Sequence, residues 1–288
     1  MSKSVLVTGA SGHVGGALVR ELVENGYHVR ASVRDPMDAA KTDALKKLQA
    51  EVVKADLFDP ASMDAACTGM DGVFQVAAIY DLAPSDAVQA RIMTETGTLG
   101  MANVLNAAKK AGVGRIVLTS SVVTIAPVAP GQPAASEDSW VSDTSVTYIE
   151  EKSSGEKHAW QLSGELGLDM VSVLPGAVTG PGFNRSTPSV DFIEAFAKGS
   201  LRMGAPDIGF PFVDVRDVAT AHSLAYEKGE IGQRYIAMNQ TVSLYDMGVA
   251  LSRIDPNIAK PLMKMPGFMT GMVPYIDAIM AKLSGYPH

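Results

Sequence analysis

The feature that most constrains the fold is a glycine-rich turn directly after the first apolar run of the chain. The run "SVLVT" (4–8) continues into "GASGHVGGALVREL", with glycines at 9, 12 and 15 ahead of an amphipathic helix. In this strand–turn–helix context Gly9 permits the tight turn, Gly12 lets the backbone approach a pyrophosphate, and Gly15 allows close helix–strand packing. The helix N-terminus also offers N–H groups and a positive dipole end to phosphates. The segment therefore predicts a dinucleotide-binding loop.

Short β-branched runs then alternate with helical patterns, which predicts a parallel sheet with crossover helices. Strands are expected at 4–8, 28–33, 51–55, 72–77, 115–120 and 169–174, and helices near 12–25, 38–49, 60–67, 86–111 and 145–166. A further helix–strand unit is expected at 215–229 and 234–238. The pattern predicts an α/β fold with a Rossmann-type doubly wound parallel sheet.

This rhythm breaks after Pro175. A segment rich in Gly, Pro and Phe follows, with one predicted helix near 188–198, and residues 241–288 are Met-rich with a helical pattern. We expect residues 1–175 and 213–240 to form the nucleotide-binding domain. Residues 176–212 and 241–288 are expected to form a small, mostly helical substrate lobe over the C-terminal edge of the sheet. The tail methionines suit an adaptable apolar lid or ordinary core packing.

Composition argues against several classes of function. The 288 residues carry 24 Lys and Arg against 31 Asp and Glu, a net charge of −7, which argues against binding nucleic acid or an anionic membrane. Cys67 is the single cysteine and the five histidines are scattered, so no intrachain disulfide and no Cys/His metal site is expected. The N-terminus lacks the pattern of a signal peptide, and no run reaches 18 uninterrupted apolar residues. A cytoplasmic enzyme is the expectation.

The end of the second predicted strand indicates which nicotinamide cofactor the loop binds. NAD enzymes usually place an acidic residue there for the ribose 2′-OH, whereas basic groups suit the 2′-phosphate of NADP. Here the strand ends "RASVRDP", with Arg34 terminal and Lys41 seven positions on, which favours NADP(H). Asp35 is a competing acceptor for a 2′-OH, and both basic residues would also suit an ordinary surface. Asp56, after the third strand, suits either the adenine amino group or a turn.

A second constellation follows the fifth predicted strand, which ends in "LTSS". Ser120 and Ser121 lie at the carboxyl edge of the sheet, where ligands bind in parallel folds. Tyr148 comes 27 residues after Ser121, and it is the one tyrosine with a lysine four positions on, at Lys152. A tyrosine hydroxyl supplies a proton to a developing alkoxide when an adjacent ammonium favours the phenolate. Ser121 would orient the substrate oxygen, and Lys152 would also contact the nicotinamide ribose.

Together these motifs resemble the extended short-chain dehydrogenase/reductase family, marked by TGxxGxxG, a strand-end serine and YxxxK. Within it the chain is similar to the branch of dihydroflavonol 4-reductases, cinnamoyl-CoA reductases and bacterial aldehyde/ketone reductases, through "VRASVRDP", "RIVLTSS", "VLPGAVTGPG" and "FVDVRDVATAH". The resemblance covers residues 3 to about 240 and implies Ser121, Tyr148 and Lys152 as the catalytic trio. The expected cofactor site comprises Thr8, Gly9, Ser11, Gly12, His13, Val14, Gly15, Arg34, Lys41, Asp56, Leu57, Ala77, Ala78, Thr119, Tyr148, Lys152, Pro175, Gly176 and Val178.

Two positions depart from the family pattern. Glu151 stands where the family usually has Ser, and on a helix it points about 100° away from Lys152, so a solvated side chain is expected. The asparagine that completes a proton relay in many members corresponds here to Thr94, so a four-residue relay is not expected. Glu156 and Lys157 would equally suit a plain solvated helix face.

The loops expected around the substrate, residues 77–84, 122–133 and 176–185, are mostly apolar. Tyr80 and Phe183 are candidate walls, and no basic residue precedes Arg185. Sugar nucleotides need basic groups for their diphosphate, so a neutral, apolar or aromatic aldehyde or ketone is expected as the substrate. Two alternatives stay open: an NAD-retaining nucleotide-sugar epimerase or dehydratase, and a non-catalytic NADP-sensing module. Monomer and homodimer both stay open, since helices 86–111 and 145–166 would suit a dimer interface.

Overall fold

The computed structural model describes residues 2–79, 86–128, 131–183, 187–199, 201–206 and 208–265. The chain divides into two compact units, residues 1–188 with 213–238 and residues 189–212 with 239–288. The assignment of cofactor and substrate binding to separate units stays a prediction. The first unit contains β1 Ser4–Val7, α1 His13–Glu24, β2 His28–Val33, α2 Ala39–Lys47, β3 Glu51–Lys54, α3 Pro60–Cys67, β4 Gly72–Gln75, α4 Ala87–Glu95, α5 Met101–Ala111, β5 Arg115–Thr119, α6 Thr147–Leu166, β6 Met170–Pro175, β7 Ala177–Thr179, α8 Val215–Lys228 and β10 Arg234–Ala237.

Seven strands of this unit form one parallel sheet in the order β3-β2-β1-β4-β5-β6-β10. The direction of strand progression reverses between β1 and β4, which is the switch point where doubly wound sheets bind ligands. The predicted Rossmann-type fold is confirmed, including the seventh strand expected near 234–238. Alternation along β1 explains the two layers: Val5 and Val7 join the core beneath α1 and α8, while Leu6 joins the core beneath α3 and α5.

The helix expected over 86–111 is interrupted. Residues Thr96–Gly100 form a π-helical turn between α4 and α5, and this turn packs against α6. The sequence pattern predicted one continuous helix here and did not indicate the extra residue that a π-helical turn accommodates. Turns of this kind occur frequently at functional sites.

The second unit contains α7 Pro188–Ala197, β8 Ala205–Pro206, β11 Gln240–Ser243, α9 Leu244–Ile254 and β12 Lys264–Met265, and β9 Gly209–Asp214 runs from it into the first unit. Phe196, Ala205, Leu244 and Met247 form its buried core. The antiparallel pair of β9 and β11 was not predicted, because the Pro and Gly of "GFPFVD" weaken the strand pattern. The tail beyond Met265 lies outside the described residues. Within the described ranges no helix combines the length and apolarity needed to cross a bilayer.

Candidate active site

The glycine-rich turn after β1 has a backbone that a larger residue would block. Gly9 has φ +63°, in the left-handed region that favours glycine, and a Cβ there would lie 2.8 Å from the Cα of Ala77. A Cβ on Gly15 would lie 2.3 Å from the carbonyl oxygen of Gly9. Gly12 precedes α1, and no side chain caps the helix there. The turn is therefore a backbone cradle of the kind that holds a pyrophosphate at a helix N-terminus.

Thr8 ties together the ends of β1 and β4 beside this cradle. Its Oγ1 donates to Oε1 of Gln75 at 2.7 Å and accepts the backbone N–H of Ala77 at 3.0 Å. The Gln75 amide in turn donates to the carbonyl oxygen of Ala77 at 3.0 Å. The predicted residues Thr8 and Ala77 are thus fixed next to the glycines, and Ala78 follows at the exposed edge.

The end of β2 presents the predicted basic pair. Arg34 is exposed, and Lys41 pairs with Asp38 at 2.6 Å. The hydrogen bond from Lys41 lowers the pKa of Asp38 below its ordinary value. Asp35, the competing ribose acceptor, instead accepts the backbone N–H of Met37 at 2.9 Å. Arg34 and Asp35 are thus both exposed at the strand end, and Asp35 also closes a local turn.

Asp56 and Leu57 lie between β3 and α3. The carboxylate of Asp56 accepts the N–H of Phe58 at 3.0 Å, and the adjacent Asp59 caps α3. Asp56 therefore has the turn role considered for it, and its contact with adenine stays a prediction. The carbonyl oxygen of Leu57 accepts a hydrogen bond from the Asn103 amide at 2.7 Å, which ties this turn to α5.

A cleft lies at the carboxyl ends of β4 and β5, bordered by the π-helical turn and α6. Three titratable side chains line it: Glu151, Lys152 and Glu156. The sheet contributes Gln75, Leu118, Thr119 and Ser120, and the facing helices contribute Thr96, Gly97 and Met101. The cleft therefore brings the predicted Lys152 to the strand ends, together with two carboxyl groups.

The two serines at the end of β5 have different partners. The Oγ of Ser120 donates to Oε2 of Glu156 at 2.6 Å, and both groups are buried. The Oγ of Ser121 accepts the N–H of Val123 at 3.4 Å, at the start of a 3₁₀ turn over Val122–Thr124. Because Ser121 is the acceptor in that contact, its own O–H remains a donor. Ser120 lines the cleft and Ser121 lies directly after it, so the role of Ser121 toward a substrate oxygen stays a prediction.

Helix α6 presents Tyr148 and Lys152 on the same face. The Nζ atom of Lys152 lies 5.8 Å from the centroid of the Tyr148 ring. Tyr148 is 8% exposed, so its ring is held in the protein rather than in water. Gly155 permits the close crossing beside Lys152 in the cleft, because a Cβ there would lie 3.2 Å from the carbonyl oxygen of Gly97 in the π-helical turn.

Glu156, which lines the cleft, forms a buried ion pair with Arg234 that was not predicted from the sequence. Arg234 of β10 donates from Nε and Nη2 to the two carboxylate oxygens of Glu156, at 2.9 and 3.0 Å. Ser172 and Trp160 donate to Oε1 of Glu156 at 2.8 and 3.2 Å. The expectation that Glu156 suits a solvated face is therefore wrong, since five hydrogen bonds compensate its burial. The available signal was an arginine inside the apolar strand pattern "RYIAM".

Arg234 also holds the segment that carries Ser121. Its guanidinium lies 3.7 Å from the ring centroid of Trp140 and donates to the hydroxyl of Thr124 and to the carbonyl oxygen of Glu137. Thr124 in turn donates to the carbonyl oxygen of Ser121 at 2.9 Å. The cluster thus connects β5, β6, β10 and α6 to the loop after β5.

Glu151 contradicts the expectation of a solvated side chain. It is 5% exposed, and its Oε2 lies 3.6 Å from Nζ of Lys152. The prediction failed because α6 packs against a neighbouring helix on this side. A Cβ on Gly97 would lie 2.9 Å from Oε1 of Glu151, so the carboxyl fills the space that this glycine leaves. Thr94, the position of the relay asparagine, is exposed and its hydroxyl donates to the carbonyl oxygen of Ala90 at 3.2 Å.

His13 and Phe183 meet beside the glycine-rich turn. Their rings stack with centroids 5.2 Å apart and planes 15° apart, and burial lowers the pKa of His13. Phe183 stays a predicted wall of the substrate pocket, and its ring contacts the predicted cofactor residue His13. The other expected wall, Tyr80, lies outside the described residues, as does Arg185. Ser11 and Val14 are half-buried on either side of Gly12 and His13.

The remaining predicted residues lie on β5, β6 and β7 or, for Gly176, between β6 and β7. Thr119 contacts His222 of α8, with 2.8 Å between the hydroxyl oxygen and Nε2. Pro175 ends β6 opposite Ala237, and the N–H of Gly176 donates to the Ala237 carbonyl oxygen at 3.0 Å. Val178 is half-buried in β7.

The sequence matches the NAD dependent epimerase/dehydratase family over residues 5–239. It is 34% identical to cinnamoyl-CoA reductase 1 of Petunia hybrida over 270 residues, covering 89% of this chain and 79% of that protein. It is 31% identical to dihydroflavonol 4-reductase of Dianthus caryophyllus over 274 residues, covering 90% and 75% of the two chains. The solved structure of gox2253 superposes with a TM-score of 0.83 at 31% identity, covering 99% of this chain and 84% of the other.

The family match agrees with the geometry of the site. A glycine cradle follows β1, basic side chains follow β2, and the cleft at the ends of β4 and β5 holds Lys152 of the YxxxK pattern. These residues fit a nicotinamide dinucleotide, because the cradle is the backbone feature that such a cofactor needs. The chain belongs to the NAD dependent epimerase/dehydratase family, the extended short-chain dehydrogenases/reductases.

Proposed function

We propose that the chain is an NADPH-dependent carbonyl reductase that converts a neutral, apolar or aromatic aldehyde or ketone to its alcohol, or catalyses the reverse oxidation. The observation that carries the proposal is the juxtaposition of Tyr148 and Lys152, with Nζ 5.8 Å from the ring centroid. Lys152 lines a cleft at the sheet edge that also carries the glycine cradle. The family and the two reductases named above support an NAD(P)-dependent reductase.

In this proposal the side chains of the site handle the proton. When bound, NADPH supplies the hydride to the carbonyl carbon. Ser121 donates its O–H to the substrate oxygen and orients it, and Tyr148 gives that oxygen its phenolic proton. The ammonium of Lys152 favours the phenolate that Tyr148 leaves, so the proton is released more readily. The residues expected to hold the cofactor are the glycine cradle, Arg34, and Lys152 on the ribose.

The preference for NADP rests on the end of β2. Arg34 is exposed there, and one carboxylate oxygen of Asp35 is engaged by the Met37 N–H. Because Asp38 already pairs with Lys41 at 2.6 Å, Arg34 is expected to carry most of the contact with the 2′-phosphate. Arg34→Ser should raise the KM for NADPH by roughly 10- to 100-fold and change the KM for NADH little. Arg20→Ser, at an exposed position of α1, is the matched control.

The proposed substrate class follows from the apolar loop after β5, where residues 122–128 carry no charged side chain. The names of the relatives, cinnamoyl-CoA reductase and dihydroflavonol 4-reductase, support a carbonyl next to an aromatic group. The test is NADPH and NADH oxidation over a panel of aliphatic and aromatic aldehydes and ketones. Net oxidation of NADPH with aromatic carbonyls would support the proposal. Tightly bound NAD with no net turnover would indicate an epimerase or dehydratase, and binding of NADPH with no turnover would indicate a sensing module.

A further inference from the structure

Glu151 is a buried carboxyl group with few partners in the cleft. It is 5% exposed, and its Oε2 has no hydrogen-bond partner among the described residues. The nearest recorded cation is Lys152, whose Nζ lies 3.6 Å from that oxygen, beyond the usual range of a hydrogen bond. Burial raises the pKa of Glu151, and Lys152 acts against that rise. The carboxyl is therefore held with incomplete compensation, beside the lysine that the proposed function requires.

The other groups around Glu151 leave Lys152 as its main electrostatic partner. From α6, Tyr148 lies one helical turn before it, and Glu156 also lines the cleft but is bound by Arg234. From the facing helix, Thr96, Gly97 and Met101 line the cleft, and none of them carries a charge.

The charged residues recorded on the neighbouring helix α4 do not pair with Glu151. Arg91 and Glu95 pair with each other at 3.5 Å and have side chains 70% and 44% exposed. From the sheet come Gln75 and Ser120, which are neutral.

Helical spacing places Glu151 next to both members of the catalytic pair. Tyr148 lies three residues before Glu151 and four before Lys152 on α6, which are the spacings of neighbouring side chains, and Oε2 of Glu151 lies 3.6 Å from Nζ of Lys152. An ionised Glu151 opposes the positive field of Lys152 at the Tyr148 hydroxyl, whereas a protonated Glu151 leaves that field unopposed. The effect is large because Tyr148 and Glu151 are both buried, and Coulomb interactions between buried groups are weakly screened.

We infer that Glu151 is a positioning residue that acts through Lys152 to set the proton affinity of the Tyr148 hydroxyl. In its ionised form Glu151 makes Tyr148 a weaker acid, and in its protonated form it makes Tyr148 a stronger one. The proton that Glu151 takes up comes from solvent through the cleft and remains on the carboxyl, so no covalent step is added to the reaction. The consequence for catalysis rests on the proposed function, while the effect on Tyr148 does not.

The test is a spectrophotometric titration of tyrosinate absorbance in the protein without cofactor. The curve of Tyr148→Phe subtracted from that of the unmodified protein isolates Tyr148, and the same subtraction in a Glu151→Gln background isolates it without the carboxylate. We expect the Tyr148 midpoint to fall by about one pH unit in the Glu151→Gln background. Glu151→Asp, which keeps the charge, should restore most of the difference. Circular dichroism at each pH confirms that the variants stay folded.

Glu150→Gln is the matched control, because Glu150 is the neighbouring carboxylate and is exposed on the same helix. Its Tyr148 midpoint should move by less than about 0.3 pH unit, as expected for a solvent-screened charge. Coincident curves with and without the Glu151 carboxylate would overturn the inference, as would a midpoint that rises. If Glu151→Gln does not fold, Glu151→Ala gives the same comparison. Failure of the proposed function would appear separately, as full carbonyl turnover by Tyr148→Phe.

Discussion

Two glutamates on helix α6 are buried little more than one turn apart, yet their surroundings differ. Glu156 accepts five hydrogen bonds, two of them from Arg234, and its side chain is 1% exposed. Glu151 has Lys152 at 3.6 Å, and its Oε2 lacks a hydrogen-bond partner among the described residues. A buried carboxylate with a full set of partners fixes the structure around it, whereas one with an incomplete set responds to its surroundings. Glu156 therefore stabilises the structure around the cleft, whereas Glu151 is the glutamate that we expect to respond to its surroundings.

The largest expected effect comes from breaking the supporting pair. Glu156→Gln leaves Arg234, with a side chain 7% exposed, without a counter-charge, so the free energy of unfolding should fall by about 3–5 kcal/mol. Urea denaturation followed by circular dichroism measures this loss. Glu151→Gln is the matched comparison and should change the free energy of unfolding by about 1 kcal/mol or less, because little compensation is lost. Equal losses in the two variants would contradict the distinction between the glutamates.

The next largest effect concerns His222 of α8, which is another buried titratable side chain. Its Nδ1 donates to the carbonyl oxygen of Val218 at 2.7 Å, and Nε2 meets the Thr119 hydroxyl at 2.8 Å. Burial lowers the pKa of His222 from 6.5 to about 4, so the imidazole stays neutral in the folded state while the unfolded chain takes up a proton. Stability should therefore fall as the pH drops from 6.5 towards 4, by about 3 kcal/mol in total.

Urea denaturation across this pH range tests the role of His222. His222→Gln should be less stable at neutral pH but should lose stability less steeply on acidification. His28→Gln, at an exposed histidine, controls for the loss of an imidazole. An unchanged acid slope in His222→Gln would show that other groups cause the loss of stability.

The smallest expected effect comes from disturbing Glu151 without removing its charge. Gly97→Ala places a methyl group 2.9 Å from Oε1 of Glu151, so the carboxyl must shift. We expect the Tyr148 titration midpoint to move by up to about half a pH unit, in the direction of Glu151→Gln. Gly164→Ala on α6, where a Cβ meets nothing within 4 Å, should leave the midpoint unchanged. A shift in the control equal to that in Gly97→Ala would count against a local effect on Glu151.

The strands of the parallel sheet and the glycine-rich turn were predictable from the sequence because local residue patterns encode them. All seven strands of the parallel sheet were expected near their observed positions, since each is a short β-branched run between helical patterns. The glycine turn was predictable for a similar reason, because only glycine fits backbone that approaches Ala77 and α1 so closely. Both features can be recognised from short runs of consecutive residues, although the close approach of Gly9 to Ala77 joins distant parts of the chain.

The charged groups of the site could not be predicted in the same way. The run "EEKSSGE" contains three glutamates, and in the sequence Glu151 and Glu156 suit a solvated face as well as the exposed Glu150 does. Their burial depends on partners that are distant in sequence, Arg234 for Glu156 and Gly97 for Glu151. The space for Glu151 also depends on the π-helical turn, which apolar periodicity does not encode. Helical spacing alone therefore indicates which side chains are neighbours. It does not indicate which buried carboxylate has hydrogen-bond and charge partners elsewhere in the fold.

The most direct test of the account is the rate of NADPH oxidation with an aromatic aldehyde by the unmodified protein and by Tyr148→Phe. The account predicts that the substitution lowers kcat by roughly 10²- to 10⁴-fold, because the proton donor is lost while the ring is kept. Thermal unfolding of the two proteins should show that the fold is intact. Full turnover by Tyr148→Phe would contradict the assignment of Tyr148 as the proton donor.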